Sequence, residues 1–378
     1  LREAREKEKK AAIRDGLMND PDKSIKLSEA ITMVATCQDM CPQFERVDRA
    51  YKNDIADMEK VMYSDGEIHM DEDRMVKSFK RSAAGDELPI PSDLRTPQTL
   101  QRTLDYLVND VLGDDISSDH LGKVHGFLWD RTRAIRKDFS VQQLTKIDDL
   151  KIAIHCFERI ARLHIVYLHV LAVPGAVEKY SYSHQQEIEQ LDKTLLSLMQ
   201  YYDDTRSRLN CENEAEFRAY CVIFQLQDPS TPDLEDRVQN WPRHIAGDPR
   251  VQEALKIFAA ACNASDLQGP FPSGKTAQVI ARQDWARFWD LIASNAVSYL
   301  MACVAEVYFN YVREMALKAI VGGSGGKPGN ENTSWTLDSV WDIFNFDTAE
   351  QLDHFCSLFG MSLKTKDDGT QYLSFKSR

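Results

Sequence analysis

The clearest catalytic signature in the sequence is Gly269-Pro270-Phe271-Pro272-Ser273-Gly274-Lys275-Thr276, which fits G-x-x-x-x-G-K-[ST], the spacing of a phosphate-cradling P-loop. Such a loop works by aiming consecutive backbone N–H groups at phosphate oxygens, and Pro270 and Pro272 remove two of those donors. The lead-in, Ala259-Ala260-Ala261-Cys262-Asn263-Ala264, reads as the end of a helix rather than a buried strand. No hydrophobic strand ending in a metal-binding Asp follows. The motif is therefore read as a surface turn that caps the next helix. An NTPase built on Lys275 is the alternative it leaves open. Cys37 and Cys41 could supply half of a zinc site, but no second Cys/His pair lies near them in sequence and structural zinc needs four ligands. Small buried thiols beside a helix start are the reading adopted. His155, His164 and His169 share one predicted helix at offsets that give no i, i+4 pair, and His164 falls on the face of Phe157, as a packed histidine would. No arrangement of carboxylates points to general acid–base chemistry. The reading is of a protein that is not an enzyme and holds no cofactor or metal.

Binding chemistry has more to work with. In Gly126–Phe139 (GFLWDRTRAIRKDF), Leu128, Thr132, Ile135 and Phe139 recur at helical spacing as one apolar stripe. Arg133, Arg136 and Lys137 lie on another face, and Asp130 stands three residues before Arg133, within pairing reach. With Arg131, this is a dense set of guanidiniums, read either as the satisfied charged face of a helix or as planar forks that lock neighbouring helices or a partner into register. At the other end of the chain Lys364, Lys366, Lys376 and Arg378 stand against Asp367 and Asp368, a local basic excess in a chain whose net charge is −13. A surface this acidic overall is not a general phosphate binder, so any nucleic-acid contact has to be local.

The elements that hold these residues are helical. Over 378 residues, 43% hydrophobic and 28% charged, the composition is that of a globular protein with room for two or three domains. Residues 1–14 are highly charged and read as a solvated helix or frayed arm. A turn over Thr36–Pro42 leads into a helix predicted to continue through Ile55, Met58, Val61 and Met62. Residues 64–95 are polar and Pro-punctuated, a linker or a strap. Helices are then predicted from Thr96-Pro97, over 147–172 and 184–206, from Phe217, from Val251, and from Trp285 through Tyr311. With β-branched alternation nearly absent and no strict period, a degenerate solenoid of helix pairs fits best. The aromatics Trp285, Trp289, Tyr299, Tyr308, Phe309 and Tyr311 suit a large hydrophobic interface, although simple core packing explains each singly. After the Gly-rich loop 322–329 come two short helices, the second capped by Thr348, and a hairpin around Asp367-Asp368-Gly369, the order of a winged-helix module. The divisions are a helical arm and strap (1–95), a helical-repeat solenoid (96–321) and a winged helix (331–378). No run approaches a membrane span. The scattered cysteines read as free thiols of a reducing compartment, and a chain beginning at Leu1 reads as a piece of something longer.

Three blocks carry a family resemblance. Thr36-Cys37-Gln38-Asp39-Met40-Cys41-Pro42 is similar to a T-C-x-D-M-C-P motif. Glu87-Leu88-Pro89 followed by Ser92-Asp93-Leu94-Arg95-Thr96-Pro97 is similar to an L-P-x-x-L-R-T-P linker. The D-R-T-R-A-I-R-K-D-F run with Asp130, Arg131, Arg133 and Arg136 is similar to the signature helix of the SAC-three/GANP family. The resemblance implies a mainly α fold, a PCI-like helical-hairpin solenoid followed by a winged helix with a small β-hairpin. It implies a scaffold subunit of the nuclear TREX-two complex in messenger-RNA export. Its implied partners are a Thp-one-like PCI-domain subunit, the small acidic Sem/DSS protein and RNA or DNA on a joint winged-helix surface. Through regions beyond this chain, it implies contact with the export receptor and the nuclear pore. A structural subunit of a proteasome-lid or signalosome-like assembly would share the outline but lack the Cys37–Pro42 and Asp130–Arg136 blocks.

Overall fold

The structure, a computed structural model, describes residues 2–20, 31, 33–62, 67–81, 89–227, 233–265, 285–324 and 331–376. The chain divides into two units, Leu1–Cys211 and Glu212–Arg378. The P-loop-like stretch 269–276 and Arg378 lie outside the described residues.

In the first unit α1 (Arg2–Arg14) is the largely solvated helix of the two readings, not a frayed arm. Ala12 is buried and joins Met18 and Ile90 in a small apolar cluster, with Ile13 and Met33 packed against it. Arg5 ion-pairs with Asp93 and lies over the Phe44 ring. Helix α2 (Gln43–Tyr51) starts after Pro42, which takes the cap position and needs no N–H there. It does not continue through Met62. Asn53 adopts a left-handed φ of 54°, which an Asn tolerates and a helix cannot pass. The chain then makes β1 (Lys60–Met62), paired antiparallel with β2 (Ile68–Met70).

Four longer helices follow: α3 (Pro97–Tyr106), α4 (Ser118–Val141), α5 (Ile147–Val170) and, after the short α6 (Ala176–Tyr180), α7 (His184–Thr205). Thr96, Ser117 and Ser183 cap α3, α4 and α7 by accepting a backbone N–H three residues on. The stripe read in the sequence is the buried face of α4: Leu128, Ile135 and Phe139 are fully enclosed and Thr132 nearly so. Helix α5 packs along α3 and α7, burying Ile154, Phe157 and Ile165. Each such side chain contributes about 1.5–3 kcal/mol of burial, so this helical layer fixes where the polar side chains beneath it must point.

The second unit holds α8 (Glu214–Phe224), α9 (Asp233–Gln239), α10 (Arg243–Ala246), α11 (Pro249–Ser265), a helical stretch α12 described over 285–292, α13 (Tyr299–Glu306) and α14 (Phe309–Gly323). β3 (Glu331–Asn332), α15 (Leu337–Phe344), α16 (Ala349–Leu358), β4 (Ser362–Thr365) and β5 (Gln371–Lys376) complete it. The three strands form one antiparallel sheet in the order β3-β5-β4. Thr348 caps α16, as the sequence predicts. Trp289 donates its indole N–H to the Ile343 carbonyl at 2.8 Å. Arg313 donates to the carbonyls of Phe344 and Asn345 and lies 3.7 Å from the Phe346 ring centre. The helix pair α15–α16 is thereby tied to α12 and α14. Trp285, Trp289 and Tyr308 are consequently core residues and not an exposed interface; of the aromatics singled out, Tyr299 is the one left well exposed.

Candidate functional site

The three sequence blocks meet in the first unit. Cys37 pairs with Arg95 as an isolated parallel bridge, its N–H donating to the Leu94 carbonyl while its own carbonyl accepts from Thr96. That brings the block of Cys37, Asp39, Met40, Cys41 and Pro42 against the L-R-T-P block. The Arg95 side chain is fully buried and donates from Nε to Asp138 at 2.8 Å and from Nη1 to the Met40 carbonyl at 3.3 Å. Asp138 belongs to the Arg-rich helix α4, so one guanidinium joins all three blocks. Lys77 adds a second cation to Asp138 at 2.6 Å, and its backbone N–H donates to the Met40 carbonyl.

A second cluster sits on the same helix. Glu59 is wholly buried and accepts from Arg49, from Arg131 at 3.3 Å, and from the backbone N–H groups of Val76 and Ala56. Arg131 also pairs with Asp130, whose carboxylate accepts the Phe79 N–H at 3.0 Å. Arg131, not Arg133, is thus the ion-pair partner of Asp130. Arg133 instead stacks between Phe79 and Trp129, 4.0 and 4.3 Å from their ring centres. Arg136 donates to Gln190 on α7 at 2.6 Å. The segment 75–81, with Met75 and Val76 buried, is therefore a strap held by backbone and side chain alike. Its partners Glu59, Arg49 and Asp138 carry no sequence signal, since a lone charged residue looks the same whether it is solvated or buried in a pair.

Cys37 and Cys41 are both buried free thiols, and burial pushes Cys41 up to about 12. Asp39 faces outward and pairs with Arg46 at 3.1 Å. Among the described residues, no group of three or more His, Cys, Asp or Glu side chains is placed to hold a metal ion.

His164 is packed, on the face the spacing predicts, but with a partner the sequence does not reveal. Its Nδ1–H donates to Glu187, which also accepts from His125 at 2.8 Å. Burial holds the His164 pKa below the usual imidazole range. Burial pushes the Glu187 carboxyl up, but the two imidazoles outweigh it and the net direction is down. Both directions oppose protonation of the folded state. As pH falls below the unfolded His value of about 6.5, the unfolded chain takes up the His164 proton first, so stability drops. The Glu187 contribution, present above its unfolded value, follows at lower pH. The urea midpoint is therefore expected to fall between about pH 7 and pH 5, with a shallower slope in His164→Gln. Equal slopes in the two proteins would show that this imidazole takes no part.

In the second unit Lys364 and Lys366 are exposed on the β4–β5 hairpin, and Lys366 lies 5.4 Å from the Tyr372 ring centre. Lys376 stands at the end of β5 opposite Glu331 in register. The acidic residues Asp338, Asp342, Asp347, Glu350 and Asp353 are exposed on and around α15 and α16. The helices are thus acidic, while the hairpin carries Lys364 and Lys366 beside the exposed Asp367 and Asp368.

These features define a mainly helical protein organised around a buried Arg–carboxylate hub, ending in a helix–helix–hairpin. The SAC3/GANP family pattern matches residues 40–365, and the chain belongs to that family. It is 40% identical over 370 residues to SAC3 family protein 1 of Schizosaccharomyces pombe, covering 97% of this chain and 34% of that protein. Protein xmas of Drosophila melanogaster is 29% identical over 333 residues, with 86% and 14% covered. SAC3 family protein B of Arabidopsis thaliana is 29% identical over 337 residues, with 85% and 18% covered. The chain thus spans about a third of the first of these relatives and less of the other two. Among the described residues no helix is long and apolar enough to cross a membrane.

Proposed function

We propose that this chain is the middle, non-enzymatic scaffold segment of a TREX-two-type complex that works in messenger-RNA export in the nucleus, at nuclear pores. In this reading residues 96–321 are the helical-repeat body and 331–378 a winged helix. The body docks a PCI-domain subunit with its small acidic Sem/DSS companion, and the paired winged helices make a joint nucleic-acid platform. The observation that carries it, beside family membership, is the order of elements over 331–376 with its acidic helix pair. An acidic helix pair repels phosphate in the major-groove mode, which favours protein docking through the helices and leaves the hairpin lysines for nucleic acid. Replacing Lys364, Lys366 and Lys376 together by Glu in the assembled complex is expected to weaken single-stranded RNA binding by about tenfold at low salt and to flatten its salt dependence. Unchanged RNA affinity would reject the hairpin as a contact.

A further inference from the structure

A groove of about 570 Å³ lies between the strap, α4 and α7 of the first unit. Phe79 and Phe157 give it an apolar floor, and Ser140 and Ser197 line it with hydroxyl groups. Its charged lining is all cationic: Arg81 from the strap, Arg133, Arg136 and Lys137 from α4, and Lys193 from α7. No carboxylate lines it among the described residues. That is unexpected in a chain with a net charge of −13, where acidic side chains outnumber basic ones.

Arg136 is the anomaly at its centre. It is half-buried with its Nε shut off from solvent, and an arginine so placed is normally paired with a carboxylate. Here one Nη donates to the neutral Gln190 amide, and the Nε–H is sealed from solvent with no acceptor among the described residues. Glu187 on α7 is near enough to attract Arg136, but that carboxylate is already engaged by His125 and His164 and does not line the groove. Arg133 lies close enough to repel Arg136, and Arg81 close enough to repel Arg133. Of the α4 carboxylates nearby, Asp130 is engaged by Arg131 and the Phe79 N–H, and Asp138 by Arg95 and Lys77. Burial pushes the Arg136 guanidinium down to about 10, so it still carries its charge at neutral pH. Among the described residues, several cations therefore line one groove with no carboxylate in its wall.

We propose that this groove is a phosphate-binding site, taking the phosphoryl groups of either a nucleic-acid backbone or a small polyphosphate. Converging guanidinium forks and ammonium groups from three elements match a phosphate, which offers acceptor oxygens in several directions. A single carboxylate offers two coplanar oxygens, which one fork already satisfies. The volume is within the range of small-ligand sites. The site is in the first unit and does not depend on the hairpin reading above.

The test uses the whole chain with two probes, inorganic tripolyphosphate by calorimetry and a fluorescent single-stranded oligouridine by anisotropy. The doubly substituted Arg81→Glu/Lys193→Glu chain changes two exposed side chains and leaves the packed ones alone. It is expected to bind tripolyphosphate at least tenfold more weakly while melting at the unaltered temperature. Arg136→Lys, which keeps charge but loses the fork, is expected to lose several-fold. Lys364→Glu/Lys366→Glu should leave tripolyphosphate binding unchanged, which separates this site from the hairpin. If oligouridine loses affinity in the groove variant and displaces tripolyphosphate, the ligand is a nucleic-acid backbone. If oligouridine is indifferent while tripolyphosphate binding is lost, it is a small polyphosphate. No binding of either probe, equal binding by the groove variant, or equally good competition by poly-glutamate would overturn the proposal.

Discussion

Asp138→Ala is expected to destabilise the first unit by about 3–5 kcal/mol, because it strands a fully buried Arg95 and a largely buried Lys77 without their carboxylate. For a unit of this size that corresponds to a melting-temperature loss on the order of 10 °C, read by calorimetry on the whole chain. The magnitude follows from desolvation rather than attraction. Arg95 has no access to water, so once the pair is broken its charge has nowhere to go. Desolvation also predicts a result that a tally of lost interactions would not. The double replacement Arg95→Met/Asp138→Leu removes both charges and is expected to recover part of the loss. A double variant less stable than either single one would show that shape or the Met40 contact, and not the buried charge, carries the effect.

Glu59→Ala is expected to cost as much or more. It leaves Arg49 and Arg131 facing each other and removes the acceptor for the Val76 and Ala56 N–H groups. Glu59→Gln keeps an acceptor for one of those amides and should be the milder change. The carboxyl also sets a pH dependence. Burial works to raise its pKa, but the Arg49 hydrogen bonds and the Arg131 charge prevail and hold it below the ordinary glutamate value of 4.5. Its stabilisation is then present above about 4.5 and is lost as pH falls toward the folded value. Acid unfolding followed by circular dichroism should begin at higher pH in Glu59→Gln. Superimposable acid transitions would contradict the assignment of Glu59 as the centre of the cluster.

How much of this is legible in the sequence depends on the physical signal each feature leaves. Apolar stripes at helical spacing, as in Leu128–Phe139, and cap residues such as Thr96 and Thr348 are local, and they locate helices well. The hairpin at Asp367–Gly369 is local too, set by Gly369 at a φ of 85°. The break after Tyr51 is hidden because Ile55, Met58 and Val61 imitate a helical stripe while Asn53 turns the chain. The division after Cys211 leaves no mark, since the connection 206–213 contains neither Gly nor Pro. The hub is the hardest part. Arg95, Met40 and Asp138 are far apart in sequence, and only tertiary packing tells a buried charge from a solvated one. The aromatics at Trp285, Trp289 and Tyr308 mislead for the converse reason, because an apolar side chain suits a core or an interface equally well.

The most direct test of the scaffold reading is co-expression of this chain with a PCI-domain partner and the small acidic Sem/DSS protein, with mass by light scattering and RNA titration of the product against the chain alone. The expected product is a stable one-to-one-to-one complex that binds single-stranded RNA much more tightly than the isolated chain. A chain that stays alone at its own mass of 43.2 kDa in the presence of both partners would contradict it.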